Sequence, residues 1–291
     1  MWRRPDGRAL IATVDFMTPI VDDARTFGAI AATNSASDVF AMGGTPLFAL
    51  NIAAWPRDTL PLDLLGEILL GAQDAATAGG WIAVGGHTID GAEPLFGQVV
   101  IGEIIDGEPL ANVGAQPGDV LVLTKALGVG IITTALKRGV ATDDAYQAAV
   151  ASMLTSNAAA AVAARQAGAH AMTDVTGFGL IGHLHKMLDA SGVSATINAG
   201  AIPVLPGVHD LITAGVVPGG TERNREFVGH HIQDHVLMPV FGDPQTSGGL
   251  LFACPESTAS MAVSNLRAVG QQAHVIGHVT EGRPGHITIN G

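Results

Sequence analysis

Positive charge, cysteine and aromatic side chains are scarce in this chain. Lysine and arginine total 14 against 26 acidic residues in 291, a formal net charge of -12. A local basic cluster is Arg3-Arg4 at the start. A protein that holds a polyanion presents a basic stripe, so non-specific nucleic-acid binding is excluded. Any anionic nucleotide has to be held locally, by a metal ion and backbone N–H groups. The lone cysteine, Cys254, rules out an intrachain disulfide. It sits in the apolar run Leu250-Leu-Phe-Ala-Cys before Pro255, which reads as a buried strand end where a thiol is raised in pKa and inert. No stretch approaches the roughly 20 apolar residues that span a bilayer, and the start lacks the pattern of a secretory signal. The expectation is a cytoplasmic protein with no membrane partner. Neither Gly-x-x-x-x-Gly-Lys-[Ser/Thr] nor a strand-to-helix Gly-x-Gly-x-x-Gly occurs, which removes support for P-loop and Rossmann sites. There is no low-complexity tail, heptad array or short-period repeat.

What is present is alanine, glycine and a hydrophobic content of 47%, enough for a sizeable core in two domains. Residues 8–15 read as a strand delivering Asp15 at its end, and 24–43 as a helix of small residues closed by Gly43-Gly44. A strand at 47–54, a helix at 60–79, a strand at 81–84 entering the loop Gly85-Gly86-His87-Thr88, and a strand at 98–105 follow. The glycine- and proline-bearing stretch from Asp106-Gly107 to Gly118 marks a boundary, with domains at 1–107 and 108–291. Beyond it come a strand at 120–124, a helix at 128–139, an alanine-rich helical stretch at 145–168, Ala171 to Asp174, and a helix bearing His183 and His185. Loops are expected at 216–224 and 243–249, and strands near 250–253, 274–279 and 286–289. Alternating strands and helices of this kind predict an α/β or α+β fold.

Asp15, Asp38 and Asp174 sit among apolar residues and glycines, in Thr-Val-Asp-Phe-Met-Thr-Pro (13–19), Ser-Asp-Val-Phe-Ala-Met-Gly-Gly (37–44) and Thr-Asp-Val-Thr-Gly-Phe-Gly (173–179). Folding carries such carboxylates toward the interior, where each needs a cation or hydrogen-bond donors. Mg²⁺ answers that need: it takes one or two protein carboxylates and completes its shell with phosphates and water. Gly86, His87 and Thr88 offer flexible backbone, an imidazole and a hydroxyl to phosphate oxygens. Taken singly, each has an ordinary reading as well. Asp174 could be a turn or N-cap aspartate, Asp38 a solvated late-helix residue and the glycine pair a plain turn. Lys125 at a strand end could face phosphate, although a solvated lysine is the plainer reading. Asp90 and Glu93 read as surface carboxylates. His231 and His235, spaced i, i+4 with His230 beside them, lack a third zinc ligand and read as polar surface.

Six blocks carry a resemblance. Val14-Asp-Phe-Met-Thr-Pro-Ile-Val-Asp22, Ala31-Ala-Thr-Asn-Ser-Ala-Ser-Asp-Val-Phe-Ala-Met-Gly-Gly44, Gly85-Gly-His-Thr-Ile-Asp90, Ala171-Met-Thr-Asp-Val-Thr-Gly-Phe-Gly179, Pro218-Gly-Gly-Thr-Glu-Arg-Asn224 and Asp243-Pro-Gln-Thr-Ser-Gly-Gly-Leu-Leu251 resemble selenophosphate synthetase (selenide, water dikinase) in order and from end to end. The resemblance implies an aminoimidazole ribonucleotide synthetase-like fold. Its amino-terminal half, here 1–107, would bind ATP and form a dimeric β-barrel, with an α/β carboxy-terminal domain at 108–291. It also implies ATP-dependent synthesis of selenophosphate from selenide with release of AMP and phosphate, a Mg²⁺ requirement, K⁺ as an open question, and a homodimer. Carried over residue by residue, Asp38 and Asp174 would be metal ligands. Asp15, Asp38, Gly86, His87 and Thr88 would contact ATP.

In the family pattern a segment precedes the Asp15 strand with a glycine-rich loop bearing cysteine or selenocysteine, a nearby lysine and an Asp-Asp-Ala-Ala strand. Here Met1-Trp-Arg-Arg-Pro-Asp-Gly7 leads directly into what resembles the hairpin before that strand. No catalytic residue is therefore carried over. The expectation is a polypeptide that keeps the fold and makes selenophosphate poorly, with a misassigned start as the simplest explanation. Two other readings stand beside it: a catalytically silent relative that dimerises with or regulates an intact enzyme, and another ATP-using relative of the same fold.

Overall fold

The computed structural model describes residues 1–105 and 107–291. Asp106, where the expected boundary stretch begins, lies outside the described residues. The chain divides into two compact units: Met1–Pro109 with Met153–Ala158, and Leu110–Ser152 with Ala159–Gly291.

The first unit contains β1 (Trp2–Arg3), β2 (Ala9–Met17), α1 (Ala24–Ala41), β3 (Thr45–Trp55), α2 (Leu62–Gly79), β4 (Ile82–Asp90) and β5 (Leu95–Ile104). Its five strands form one sheet in the order β1-β2-β5-β3-β4, antiparallel except for the parallel β3–β4 pair. Helix α1 is built almost wholly of small or apolar residues and is buried along most of its length, as a helix covered on several sides must be. It packs against β2, β5 and α2.

The crossing of α1 and α2 is close because glycine faces backbone on both sides. A Cβ on Gly28 would lie 1.9 Å from the Ile68 carbonyl oxygen, and one on Gly71 would lie 1.8 Å from that of Arg25. The opposite side of the sheet is different. Val14 and Phe16 of β2, Phe48 and Leu50 of β3 and Ile82 of β4 are large, apolar and exposed there.

Two expectations for this unit need correction. β2 does not end at Asp15 but runs on to Met17, because Asp15, Phe16 and Met17 pair with Gln98, Gly97 and Phe96. Gly85 to Thr88 are not a loop after a strand. They lie inside β4, where Gly86, His87 and Thr88 pair in parallel with Asn51, Ile52 and Ala53. Glycine in a strand interior often marks close backbone approach rather than a turn, and a Cβ on Gly86 would lie 2.2 Å from the Asn51 carbonyl oxygen.

The second unit contains β6 (Asp119–Leu123), α3 (Val129–Lys137), most of α4 (Asp143–Leu154), α5 (Ala158–Gln166), β7 (Ala171–Asp174), α6 (Gly179–Ser191), β8 (Ser194–Asn198), α7 (Val208–Thr213), α8 (Gly219–Val228), α9 (Met238–Phe241), β9 (Leu250–Pro255), α10 (Glu256–Ala268), β10 (His274–Thr280) and β11 (Ile287–Asn290). Six strands make a mixed sheet in the order β11-β8-β10-β6-β9-β7, with only β11 and β8 parallel. Every residue of β6 is buried, as is β9 up to Cys254, which explains their unbroken apolar runs. Burial pushes the Cys254 thiol up to about 11, with the Asp119 carboxylate adding to the shift.

The alanine-rich stretch is two helices rather than one. Thr155, Ser156 and Asn157 interrupt it, and Ser156 Oγ accepts the Ala158 N–H at 3.2 Å, a side-chain bond that competes with helix continuation. Asn157 falls in the first unit, where its Nδ2 donates to Ser37 Oγ at 3.0 Å. The expected loop at 216–224 is largely helix α8: Thr221, Asn224 and Val228 are buried at helical spacing, a pattern masked by the leading Gly219-Gly220. The sequence pattern marks none of β8, α7, α9 and α10.

The glycines of α2 supply a paired test of this packing. Gly66 has nothing within 4 Å of a built Cβ, whereas Gly71 meets backbone. Gly66→Ala is expected to stabilise by up to about 1 kcal/mol through helix propensity. Gly71→Ala is expected to destabilise by about 1–3 kcal/mol through overpacking. Chemical denaturation of both variants checks this; equal effects of the same sign would refute the close crossing.

Candidate active site

In the first unit, side chains alternate across β2, so Ala12, Val14 and Phe16 turn outward while Ile11, Thr13 and Asp15 turn toward α1. Asp38 of α1 is partly buried, and one of its carboxylate oxygens accepts a short hydrogen bond from Thr13 Oγ1. One turn earlier, Ser35 Oγ lies 3.0 Å from the Asp15 carbonyl oxygen and 2.8 Å from that of Ala31, its single proton serving the two. It also accepts the Gln98 N–H at 3.1 Å. Gln98 is fully buried, donates from Nε2 to Asn51 Oδ1 at 2.9 Å and receives the Trp81 indole N–H at 3.4 Å. Asp15, Gln98, Asn51 and Gly86 therefore form one row across β2, β5, β3 and β4. A buried polar layer this well satisfied fixes register and helix position, since leaving any member unpaired would be costly.

The structure brings Asp15 and Asp38 together on the β2–α1 surface. Gly86 and Thr88 share that side of the sheet, whereas His87, paired with Ile52, turns to the other side. All three are exposed.

In the second unit, Asp174 ends β7 and is buried. The segment after it is tied to the two later blocks. Val175 N–H donates to the Gly249 carbonyl at 2.8 Å, and Gln245 N–H to the Thr176 carbonyl at 3.0 Å. Asn224 Nδ2 reaches the Gly177 and Gly242 carbonyls, each at 2.9 Å. Gly179 opens α6 at φ +64°, where a Cβ would stand 2.8 Å from the Gly242 carbonyl carbon. The 218–224 and 243–249 blocks thus act as the frame of the Asp174 turn.

Asp243 lies beneath that frame, fully buried. Its Oδ2 accepts the Gly130 N–H at 3.0 Å near the start of α3 and Gln245 Nε2 at 2.7 Å. Burial raises its carboxyl to about 7; the hydrogen bonds from Gln245 and the helix amides oppose this.

Lys125 is the clearest departure from expectation. It is buried rather than solvated, and its Nζ donates to the Ser247 carbonyl at 2.7 Å. Burial pushes its ammonium down to about 7, partly opposed by the nearby Asp174 carboxylate. The apolar run 120–123 just before it is the only hint of this in the sequence. Thr13, Ser35 and Gln98 had only weak signals, because their role arises from pairing partners remote in the chain.

The spacing of the histidines does not fall on a helix. His230 and His231 share a single 3₁₀ turn and His235 lies in the following loop, so no helix face presents an i, i+4 pair. Among the described residues no group of three or more His, Cys, Asp or Glu side chains could enclose a metal ion. Asp38 and Asp174 are hard oxygen donors, the kind a Mg²⁺ ion that completes its shell from phosphates and water would use.

His183 supplies a pH test. Its Nε2 accepts the Thr176 N–H at 3.1 Å, which requires a neutral imidazole, and burial, with Lys186 nearby, lowers its pKa to about 4. A depressed folded-state pKa contributes stability that is complete above the ordinary value near 6.5 and is lost as pH falls toward 4. Wild-type protein should therefore exceed His183→Gln in stability at pH 7, and the gap should shrink by pH 4.5. Urea unfolding at both pH values would show it; a gap that does not change with pH counts against the assignment.

Against this geometry stand the comparisons with known proteins. Residues 1–104 match the family described as AIR synthase related protein, N-terminal domain, and residues 116–290 match its C-terminal domain. A selenide, water dikinase of Myxococcus xanthus is 45% identical over 98% of this chain and 83% of its own length. One from Dechloromonas aromatica is 44% identical over 96% of this chain and 82% of its own. Among solved structures, thiamine-monophosphate kinase from Stenotrophomonas maltophilia superposes with a TM-score of 0.78 at 19% identity, covering 99% of this chain and 87% of that one. The hydrogenase maturation protein HypE in complex with ATP gives 0.74 at 21% identity, covering 97% and 81%. At such identities these structures speak for the fold alone.

Proposed function

Since the chain belongs to the selenide, water dikinase family, we propose that it uses ATP and water to convert selenide into selenophosphate, releasing AMP and inorganic phosphate. The observation that carries this reading within the molecule is the treatment of its acidic residues. Asp38 and Asp174 are folded into apolar elements, a placement that burial alone would penalise and that supports a role as ligands of a hard cation.

We assign Asp38 and Asp174 as Mg²⁺ ligands, and Asp15, Asp38, Gly86, His87 and Thr88 as nucleotide contacts. A bound Mg²⁺ would neutralise charge on the phosphates. The chain's own residues do the rest: Thr13 orients one oxygen of Asp38, and the Ser35–Gln98–Asn51 layer holds β2 against α1. In the second unit the 243–249 block keeps the Asp174 turn in place. Phosphoryl transfer asks mainly for such positioning. No residue is assigned to K⁺. The reading as a catalytically silent partner finds no support among the relatives, which bear the enzyme's name over nearly the whole of this chain.

Selenide-dependent AMP release is the direct assay. Asp38→Asn and Asp174→Asn should each lower it on the order of 10²-fold, comparable to removing one preorganised charge-stabilising group. Activity unchanged in both would refute the ligand assignment; ADP as the product of a selenide-independent reaction would refute the reaction.

The exposed apolar sheet face supports a homodimer, because monomers rarely leave a contiguous apolar patch of this kind uncovered. We propose that Val14, Phe16, Phe48, Leu50 and Ile82 meet the same face of a second copy, as in a shared barrel. Phe16→Glu together with Leu50→Glu should give monomers in sedimentation velocity where the wild type sediments as a dimer. A wild-type chain that is monomeric at micromolar concentration would overturn this. Among the described residues no helix is long and apolar enough to cross a membrane.

A further inference from the structure

Lys125 is one of three lysines in the chain, and it is placed where lysine is most costly. It follows the fully buried strand β6 and is itself only 6% exposed. A buried ammonium has three donors to satisfy, and the Ser247 carbonyl, at 2.7 Å, takes one.

Around it, three distant segments are locked together. Thr124 exchanges two bonds with Leu250, its N–H reaching the Leu250 carbonyl at 3.1 Å and its Oγ1 accepting the Leu250 N–H at 2.8 Å. Val175 N–H reaches Gly249. A Cβ on Gly249 would stand 2.6 Å from the Lys125 backbone nitrogen, and one on Gly248 would stand 1.8 Å from the Val175 carbonyl oxygen. Ser247, whose carbonyl holds the lysine, is the one non-glycine residue with positive φ among the described residues, at +49°. A backbone strained in that way persists only when its surroundings over-determine it, and the lysine bond is one of those determinants.

The remaining neighbour of consequence is Asp174. Its negative charge bears on the ammonium, and β9 aligns the two: Leu251 pairs with Leu123 of β6 and with Thr173 of β7, so both strand ends meet the same partner.

We infer that Lys125 is a positioning residue for Asp174: its ammonium, anchored on the Ser247 carbonyl, holds the 247–249 turn against the end of β7 and supplies the positive charge that lets this carboxylate remain buried when no divalent cation is bound. The inference rests on the proposed role of Asp174. It adds that the resting site carries its own cation, so the carboxylate is oriented before any ligand arrives. A neutral side chain at 125 would remove that positive charge, whereas arginine would keep the charge and a donor for Ser247.

The test is a double-mutant cycle read by thermal unfolding in chelator at pH 6, with no nucleotide or selenide present. Lys125→Met should lower Tm by on the order of 5 °C in the wild-type background. In an Asp174→Asn background the same change should cost less than half as much, and Lys125→Arg should recover most of the loss. Should Lys125→Met fold only when combined with Asp174→Asn, that is the same coupling in stronger form. An equal loss in both backgrounds would reduce Lys125 to an anchor for Ser247 and overturn the inference, as would no loss in either, or failure of Lys125→Arg to recover stability. Because the melts involve neither ATP nor selenide, they can fail while the dikinase reading stands. Conversely, absence of selenide-dependent AMP release would sink that reading while leaving the coupling intact.

Discussion

A carboxylate carried into an apolar interior has to be met by donors or by a cation, and this requirement governs how both units are assembled. In the first unit the answer is a set of hydroxyls and amides. Thr13 meets Asp38, while Ser35 Oγ on α1 bridges the Asp15 carbonyl and the Gln98 N–H. In the second the answer differs residue by residue. Asp243 turns to helix amides and a glutamine, and Asp174 has a buried lysine within its field. Each solution draws partners from far along the chain, so the polar groups that look expendable in the sequence are the ones that fix how helices sit on sheets.

Glycine provides the room for these solutions. The α1–α2 crossing, the β3–β4 pairing at Gly86 and the seating of Gly248-Gly249 on Val175 and Lys125 all place backbone where a methyl group would collide. With aromatics at only 4%, the chain gains its density from close backbone approach and small side chains rather than from large rings. Close approach of this kind leaves little room for rearrangement. The exposed outer face of the first sheet, by contrast, is apolar and better suited to meeting another surface.

Much of the secondary structure was legible where one periodicity dominated. The strand runs of β2, β3, β6 and β9 and the leucine spacing of α2 each read directly from their residues. Elements whose local chemistry sent a mixed message did not. Gly85-Gly86 argues for a turn until a parallel neighbour is seen to need the space, and Gly219-Gly220 hides the start of α8. The continuous alanine run from 145 onward conceals a break made by three polar residues. Lys125 is the sharpest case. A lysine at a strand end is normally solvated, and only the arrival of the Ser247 turn, 122 residues later, buries it.

The linear chain by itself determined which carboxylates are embedded in apolar surroundings, the alternation of strands and helices, the absence of a basic surface for polyanions, and the six blocks that identify its relatives. Those properties are local, written in composition and short-range order. What only the tertiary structure decided is which donor answers each buried polar group and which side of a sheet each candidate residue takes: that Thr13 meets Asp38, that His87 turns away from Asp15, and that Lys125 is buried against the Ser247 carbonyl. Such choices depend on pairing register and on contacts between segments a hundred or more residues apart, and the free energy that enforces them comes from desolvation, which exists only once the core has closed.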